Sequence, residues 1–259
     1  MVTNVEIRST GKPRVRELDR EVAMTLAATE YDRVAAQLES LTDSQWALPT
    51  DCPGWDVRAI AGHNLGMTRM IMTVPELARQ QMAAQSGAKK TGALMIDVLT
   101  ARQVTKNADL STAAVIAQMR EFGPRAARRR RRMPTFIRNR TMPGTQPVGD
   151  ATEQWTFGFL FDIILTRDAF MHRLDISRAT GTPMQSSAAH EGVIIDDVVR
   201  EWAGRHGRPY TLTLSGTAGG GWSAGDGAGE HLTMDAFDFC RSVSGRAPAT
   251  GLAAHQVPF

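Results

Sequence analysis

The spacing of apolar residues predicts a largely helical chain. Between residues 17 and 41 the apolar positions recur at three- or four-residue steps or at multiples of them, which is typical of a long amphipathic helix. The same kind of spacing predicts further helices at about 57–74, 93–106, 112–132, 152–180 and 187–206. Gly181 and Pro183 follow residue 180, as expected where a helix ends.

The pattern changes after Gly207. Residues 210–215 alternate with period two, which indicates a half-buried strand, and 230–233 are predicted as a return strand after a glycine-dense loop. Residues 235–244 again have the spacing of a helix. The predicted fold class is therefore α+β, a helical bundle followed by a small α+β domain. We expect a loose N-terminal arm at 1–15, the bundle at 16–183 and the small domain at 184–259.

Composition indicates an ordinary globular protein. Of the 259 residues, 42% are hydrophobic and 22% are charged. We see neither an apolar run long enough to span a membrane nor the apolar core of a signal peptide, so we predict a cytoplasmic protein without a membrane partner. Cys52 and Cys240 form no metal-binding or redox motif and are predicted to be free thiols.

The net charge of +3 comes largely from an arginine run at 128–132. One interpretation is a solvated helix end, and another is a rim that attracts an acidic ligand. The run has no interleaved aromatic residues and no binding motif around it, so we predict no nucleic-acid partner.

Three residues with metal-binding side chains stand where apolar residues are expected. His63 lies three residues after Ile60 and four before Met67, and Asp168 and His172 are four apart on the apolar face of a later helix. Two imidazoles and a carboxylate from facing helices suit one divalent cation with open positions. Nitrogen and oxygen donors favour Zn²⁺ and are also compatible with Ni²⁺ or Fe²⁺. The alternative is that these are hydrogen-bonded core residues.

Two residues near His63 have alternative roles. Trp55 either lines the metal cavity or packs its loop on the bundle. Cys52 is a less favoured fourth ligand or reactive thiol, because the turn that carries it need not aim it inward.

Two segments carry a resemblance to a known family. Leu48 to His63 contains Cys52-Pro53-Gly54-Trp55 followed by Val57-Arg58, and a second segment contains Arg167-Asp168, His172-Arg173 and Asp175-Ile176. These segments resemble the signature blocks of the mycothiol-dependent maleylpyruvate isomerase family, a branch of the DinB-like metal-binding four-helix bundles. The resemblance covers residues 17–185. More loosely, residues 210–258 are similar to the family's small sterol-carrier-like α+β domain.

The resemblance implies a divalent metal, usually zinc, at His63, Asp168 and His172. It implies mycothiol as the thiol cosubstrate and a metal-bound thiolate that attacks a small electrophile, which we expect to be acidic. The reaction is then an S-transfer (conjugation) or a cis–trans isomerisation of the maleylpyruvate type. Relatives can carry Glu where this chain has Asp168. Because the aspartate side chain is shorter, the resemblance does not determine the exact position and coordination of the metal.

The resemblance also implies an arginine from the C-terminal domain that holds the acidic substrate or the thiol. Arg246 is the first choice and Arg241 the second, since a guanidinium suits a carboxylate. A helix-end cap is the alternative role of Arg246. Trp55 and Arg246 are the predicted cofactor-binding residues.

Two other functions stay open at this point. One is a metal-dependent hydrolase of an amide or thiol conjugate, with metal-bound water as the nucleophile. The other is a non-catalytic module that binds a small ligand, with a structural metal or none. Either a monomer or a homodimer fits the sequence.

Overall fold

The computed structural model describes residues 8–225 and 228–259 of the chain. Part of the predicted N-terminal arm, residues 1–7, lies outside the described residues. Within the described ranges, no helix is both long and apolar enough to cross a membrane.

Helices make up most of the described chain, as the apolar spacing predicts. They are α1 Arg20–Glu39, α2 Val57–Met72, α3 Val74–Thr91, α4 Met95–Asn107, α5 Thr112–Arg131, α6 Thr135–Arg138, α7 Phe157–Phe159, α8 Leu165–Thr180, α9 Val193–His206 and α10 Ala236–Val243. Pro75 stands in the first turn of α3, where the chain restarts after α2. The π-helical segments Leu160–Ile164 and Ala188–Gly192 lead into α8 and α9.

Six short strands form two three-stranded sheets. They are β1 Arg8–Arg14, β2 Gln146–Val148, β3 Ala151–Trp155, β4 Tyr210–Ser215, β5 Gly220–Ala224 and β6 Glu230–Asp235. The first sheet has the order β1-β3-β2, with β1 parallel and β2 antiparallel to β3. The second has the order β5-β4-β6, with β5 antiparallel and β6 parallel to β4.

Three sequence-based expectations for these segments are wrong. Residues 8–14 form β1 instead of a loose arm, and residues 152–155, predicted as the start of a helix, belong to β3. Part of the glycine-dense loop is the strand β5, so β6 does not return antiparallel to β4. The strands β1 and β3 stabilise each other although they are distant in sequence, which local spacing does not reveal, whereas β5 forms a hairpin with β4 despite its glycines.

Contacts between Cα atoms group the chain into two compact units whose segments alternate along the sequence. One unit takes in the chain up to Leu26 together with Pro134–Met171 and Ser186–Phe259, and the other consists of Ala27–Met133 and His172–Gln185. The division into a bundle at 16–183 and a small α+β domain at 184–259 stays a prediction.

The predicted α+β fold class is confirmed, since the second unit contributes a group of helices and the first combines helices with both sheets. In the second unit, α2 packs against α3, α4 and α5 around buried residues such as Ile60 and Leu65. In the first unit, α10 packs on α9 and on the sheet of β4 and β6, with Phe239 fully buried. Both arrangements bury the apolar stripe that the sequence shows on each element.

A buried ion-pair network stabilises the first unit. Glu153 of β3 is 1% exposed and accepts hydrogen bonds from Arg205 of α9, at 2.7 and 3.0 Å, and from Arg14 of β1, at 3.2 and 3.3 Å. Burial raises the pKa of Glu153, but the hydrogen bonds and charges of the two arginines outweigh it and hold the pKa below its usual value.

We predict that Glu153→Gln lowers the free energy of unfolding by about 2 kcal/mol at neutral pH, because Arg14 loses its counter-charge and Arg205 keeps only that of Glu201. A carboxylate with a depressed pKa stabilises the fold above its unfolded pKa of 4.5 and loses this contribution as the pH falls through the lower folded value. The variant should therefore lose less stability than wild type on acidification below about pH 5.

Urea unfolding at several pH values measures both effects. Glu121→Gln is the matched control, since Glu121 pairs with Arg125 at an exposed site, and it should change stability by less than about 0.5 kcal/mol. Equal losses in the two variants would contradict the role of the network.

Candidate metal centre

His63 reaches the interior through the way α2 begins. The Asp56 side chain accepts a hydrogen bond from Ala59 N at 2.7 Å and caps the helix. Val57 and Ile60 are fully buried, and His63 follows on the same face with 2% of its surface exposed. The sequence correctly places this imidazole on the apolar stripe.

Asp168 and His172 lie one turn apart on the continuous helix α8. His172 is 5% exposed, and Asp168 is partly buried. His63, Asp168 and His172 each offer a nitrogen or oxygen ligand atom, and these three atoms lie within 4.8 Å of one another. The two imidazole rings meet edge to face with their centroids 5.0 Å apart. The structure thus brings the three predicted metal ligands together.

Gln103 of α4 fixes the ring of His63. The His63 Nδ1 and Gln103 Oε1 atoms are 2.9 Å apart, and Gln103 Nε2 donates to Gln80 Oε1 at 2.9 Å. Since an amide oxygen only accepts, Nδ1 of His63 carries the proton, and the lone pair is then on Nε2. Gly66 makes room for this contact, because a Cβ there would stand 2.5 Å from the Gln103 side chain.

Asp175 orients His172 in the same way. The His172 Nδ1 and Asp175 Oδ2 atoms are 3.1 Å apart, and the Asp175 side chain is fully buried. The carboxylate therefore holds the Nδ1 proton, and the lone pair of His172 is also on Nε2. A carboxylate or carbonyl behind a metal-binding histidine is the usual arrangement in metalloproteins.

Cys52 lies close to His172 and Asp175, although the sequence does not favour a position near the ligands for this thiol. Its Sγ donates to Asp175 Oδ2 at 3.2 Å and lies 4.0 Å from His172 Nδ1. Its backbone N–H donates to the Thr50 hydroxyl at 3.2 Å, which shapes the turn and aims the thiol at α8. Cys52, His172 and Asp175 form a second group of close ligand atoms on the Nδ1 side of His172.

Trp55 covers the two histidines. Its ring centroid is 5.2 Å from that of His63 and 5.9 Å from that of His172. Trp55 therefore packs its loop against α2 and α8 and also lines the candidate centre. The two roles considered for this side chain are compatible. Such an apolar cover limits solvent access to the ligands.

Buried ion pairs hold α8 on either side of the ligands. Arg167 contacts Asp197 at 2.7 Å and Glu201 at 2.6 Å, and Arg173 contacts Glu30 at 3.0 Å. These contacts fix the helix on which Asp168 and His172 stand.

The arginines of the C-terminal region lie in the first unit. Arg241 is on α10, 3.8 Å from Asp238, and Arg246 follows the turn at Gly245, where φ is +78°. Arg246 lines a cavity of about 390 Å³. The substrate-holding roles of Arg241 and Arg246 stay predictions.

The arginine run at 128–132 forms the last turn of α5 and the residue after it. Arg130 is buried, with its guanidinium 5.8 Å from the centre of the Tyr31 ring. The run is therefore not a uniformly solvated helix end.

The residues present fit a divalent cation. Two imidazoles with the lone pair on Nε2 and one carboxylate converge, and each imidazole has a fixed acceptor behind it. A cation held between them would compensate the charge of the partly buried Asp168 carboxylate. A three-ligand set of this kind leaves coordination positions open for a further ligand.

Comparison with known proteins identifies the fold and the family. Two solved structures align with 89% of this chain and 91% of their own chains, each with a TM-score of 0.56: the mycothiol-dependent maleylpyruvate isomerase, at 14% identity, and its histidine-to-alanine variant, at 13%. Their likeness shows the fold. No curated protein matches the chain. The model of the mycothiol maleylpyruvate isomerase N-terminal domain matches residues 27–177, and the chain belongs to this family.

Proposed function

We propose that this protein is a metal-dependent enzyme that uses mycothiol to attack a small electrophile. The observation that carries the proposal is the convergence of His63, Asp168 and His172, with Gln103 and Asp175 holding the two rings. Membership of the mycothiol maleylpyruvate isomerase family supports the choice of thiol and of reaction.

His63, Asp168 and His172 would hold the metal. Their nitrogen and oxygen donors favour Zn²⁺, with Ni²⁺ and Fe²⁺ as alternatives. When bound, a divalent cation at these residues would lower the pKa of a thiol and favour its nucleophilic form. Trp55 would exclude water beside the histidines, and Gln103 and Asp175 would keep their ring protons on Nδ1.

The proposed reaction is an isomerisation of a maleylpyruvate-type substrate. The sulfur of mycothiol adds to one carbon of the cis double bond, which becomes a single bond and rotates, and the thiol leaves as the trans double bond forms. No electrons are gained or lost overall. Arg246, or secondly Arg241, is proposed to bind the acidic substrate or the thiol, since a guanidinium pairs well with a carboxylate.

S-transfer is the second candidate. In this reaction the sulfur of mycothiol attacks a carbon atom of the electrophile that carries a leaving group. A carbon–sulfur bond forms, and the leaving group departs with the electron pair of the bond that breaks.

The cytoplasmic location predicted from the sequence remains part of the proposal.

We predict that His172→Ala removes most of the bound divalent metal, because one of three ligands is lost. Elemental analysis of the purified protein should give about one metal per wild-type chain and a small fraction of that in the variant. His231→Ala is the matched control, because His231 is exposed on β6, and it should retain the wild-type content. Equal metal in all three proteins would contradict the ligand assignment.

We predict that Gln103→Leu weakens metal binding by about 10- to 100-fold, because His63 loses the acceptor that fixes its ring. Gln103→Glu keeps an oxygen acceptor at the same place and should restore most of the affinity. Competition with a chromogenic chelator measures both variants. Unchanged affinity in Gln103→Leu, with the fold intact by circular dichroism, would show that Gln103 does not position the ligand.

The proposed reaction itself is tested by an assay of the metal-loaded protein with maleylpyruvate. We predict conversion to the trans isomer that requires mycothiol and falls at least about 100-fold in His63→Ala, which loses a metal ligand. Consumption of monobromobimane only with mycothiol would instead favour S-transfer. Hydrolysis of an amide or thiol conjugate without added thiol, or a folded and inert protein, would contradict the proposal.

A further inference from the structure

A second cavity lies in the helical unit behind His63. Residues of α2, α3 and α4 line a space of about 620 Å³, within the usual range of small-molecule sites. Gln80 and Gln103 form part of its wall, and both are buried. Since Gln103 meets His63 at Nδ1, the cavity lies on the side of the imidazole away from Nε2. It is therefore separate from the candidate metal centre.

The charged residues that line this cavity all carry positive charge. They are Arg69, Arg79, Arg102 and Lys106, and the lining among the described residues includes no aspartate or glutamate. Glu76 lies beside the cavity and pairs with Arg79 at 2.6 Å and with Lys106 at 3.5 Å. Hydrogen bonds from Arg79 lower the pKa of Glu76 to about 2, so this single negative charge persists at neutral pH. Four cations thus face one carboxylate.

Arg69 is held in place by neutral groups. Its Nη1 donates to Asn107 Oδ1 at 2.6 Å, its Nη2 contacts Gln118 Oε1, and its guanidinium lies 5.7 Å from the centre of the Phe122 ring. Amide oxygens and a ring orient a guanidinium without cancelling its charge. Burial lowers the pKa of Arg69, and the charge of Glu76 offsets only part of this effect.

Arg102 stands exposed at the same cavity on α4. Its side chain makes no hydrogen bond or ion pair with residues 8–225 and 228–259. A second guanidinium is thus available to a ligand that reaches Arg69.

Part of the remaining wall is aliphatic. Ala83 of α3 and Val98 and Leu99 of α4 contribute apolar surface. The polar part of the wall is already ordered, because Gln80 donates to Gly66 O at 3.2 Å and to Glu76 Oε1 at 2.9 Å. A cavity with ordered walls binds a ligand at a smaller entropic cost.

We propose that this cavity binds a small amphipathic carboxylate, whose charged end meets Arg69 and Arg102 and whose aliphatic part lies against Ala83, Val98 and Leu99. This site is separate from the candidate metal centre, and the proposal does not depend on the proposed thiol reaction.

Hexanoate is the probe for this site. The full chain, without mycothiol, is titrated with hexanoate while the arginine Nε–Hε signals are followed by NMR. We expect saturable shifts with hexanoate and much smaller shifts with hexan-1-ol or hexylammonium at the same concentrations, since these keep the aliphatic chain and lack the negative charge.

Variants assign the binding to the cavity. Arg102→Gln should raise the dissociation constant of hexanoate about tenfold, as expected for the loss of one charge-assisted hydrogen bond. Lys90→Gln is the matched control, because Lys90 is an exposed cation of α3 outside the cavity, and it should leave the constant unchanged. Ala83→Phe should fill the cavity and abolish saturable binding.

Shifts that do not saturate, that are equal for hexan-1-ol, or that persist unchanged in both Arg102→Gln and Ala83→Phe would overturn the proposal. Each variant is checked by thermal unfolding, and Arg102→Gln remains decisive if Ala83→Phe does not fold. If the wild-type protein binds hexanoate but has no mycothiol-dependent activity, the result contradicts the proposed function and not the carboxylate site.

Discussion

The candidate centre depends on two hydrogen bonds at the backs of the histidines. Gln103 Oε1 and Asp175 Oδ2 each lie against an Nδ1 atom, at 2.9 and 3.1 Å. They decide which nitrogen keeps the proton and how each ring is turned. Without these hydrogen bonds, neither the ring orientation nor the protonated nitrogen of each histidine would be fixed. With them, the lone pair of each imidazole is on Nε2, and both Nε2 atoms are available to bind one cation near Asp168.

Other parts of the fold serve this constraint. Gly66 allows α4 to bring Gln103 close to α2, and buried ion pairs of Arg167 and Arg173 hold α8 along its length. The turn before α2 places Trp55 over the rings and Cys52 beside Asp175. Cys52 Sγ and Nδ1 of His172 contact the same carboxylate oxygen, so the thiol lies on the Nδ1 side of the imidazole.

The sequence predicts most helices and the convergence of His63, Asp168 and His172, for a physical reason. His63, Asp168 and His172 stand on apolar stripes of period 3.6, and such stripes alone determine which face of a helix is buried. The family resemblance adds the metal and the thiol to that pattern. Its two segments lie within residues 27–177, which match the family model.

Contacts between residues distant in sequence could not be predicted in this way. Gln103 is 40 positions from His63, and nothing near it marks it as the partner of an imidazole. The strands β1 and β3 pair over more than a hundred residues, and their own composition does not distinguish β3 from the start of a helix. Cys52 was disfavoured because the direction of a side chain on a turn depends on hydrogen bonds such as that to Thr50.

X-ray absorption at the zinc edge of the zinc-loaded, thiol-free protein tests the central claim most directly. The account predicts a first shell of nitrogen and oxygen at about 2.0–2.2 Å, with the outer-shell scattering of two imidazoles and no sulfur. A protein sulfur ligand at about 2.3 Å, lost in Cys52→Ala, would place the metal on the Cys52 side of His172 and contradict it.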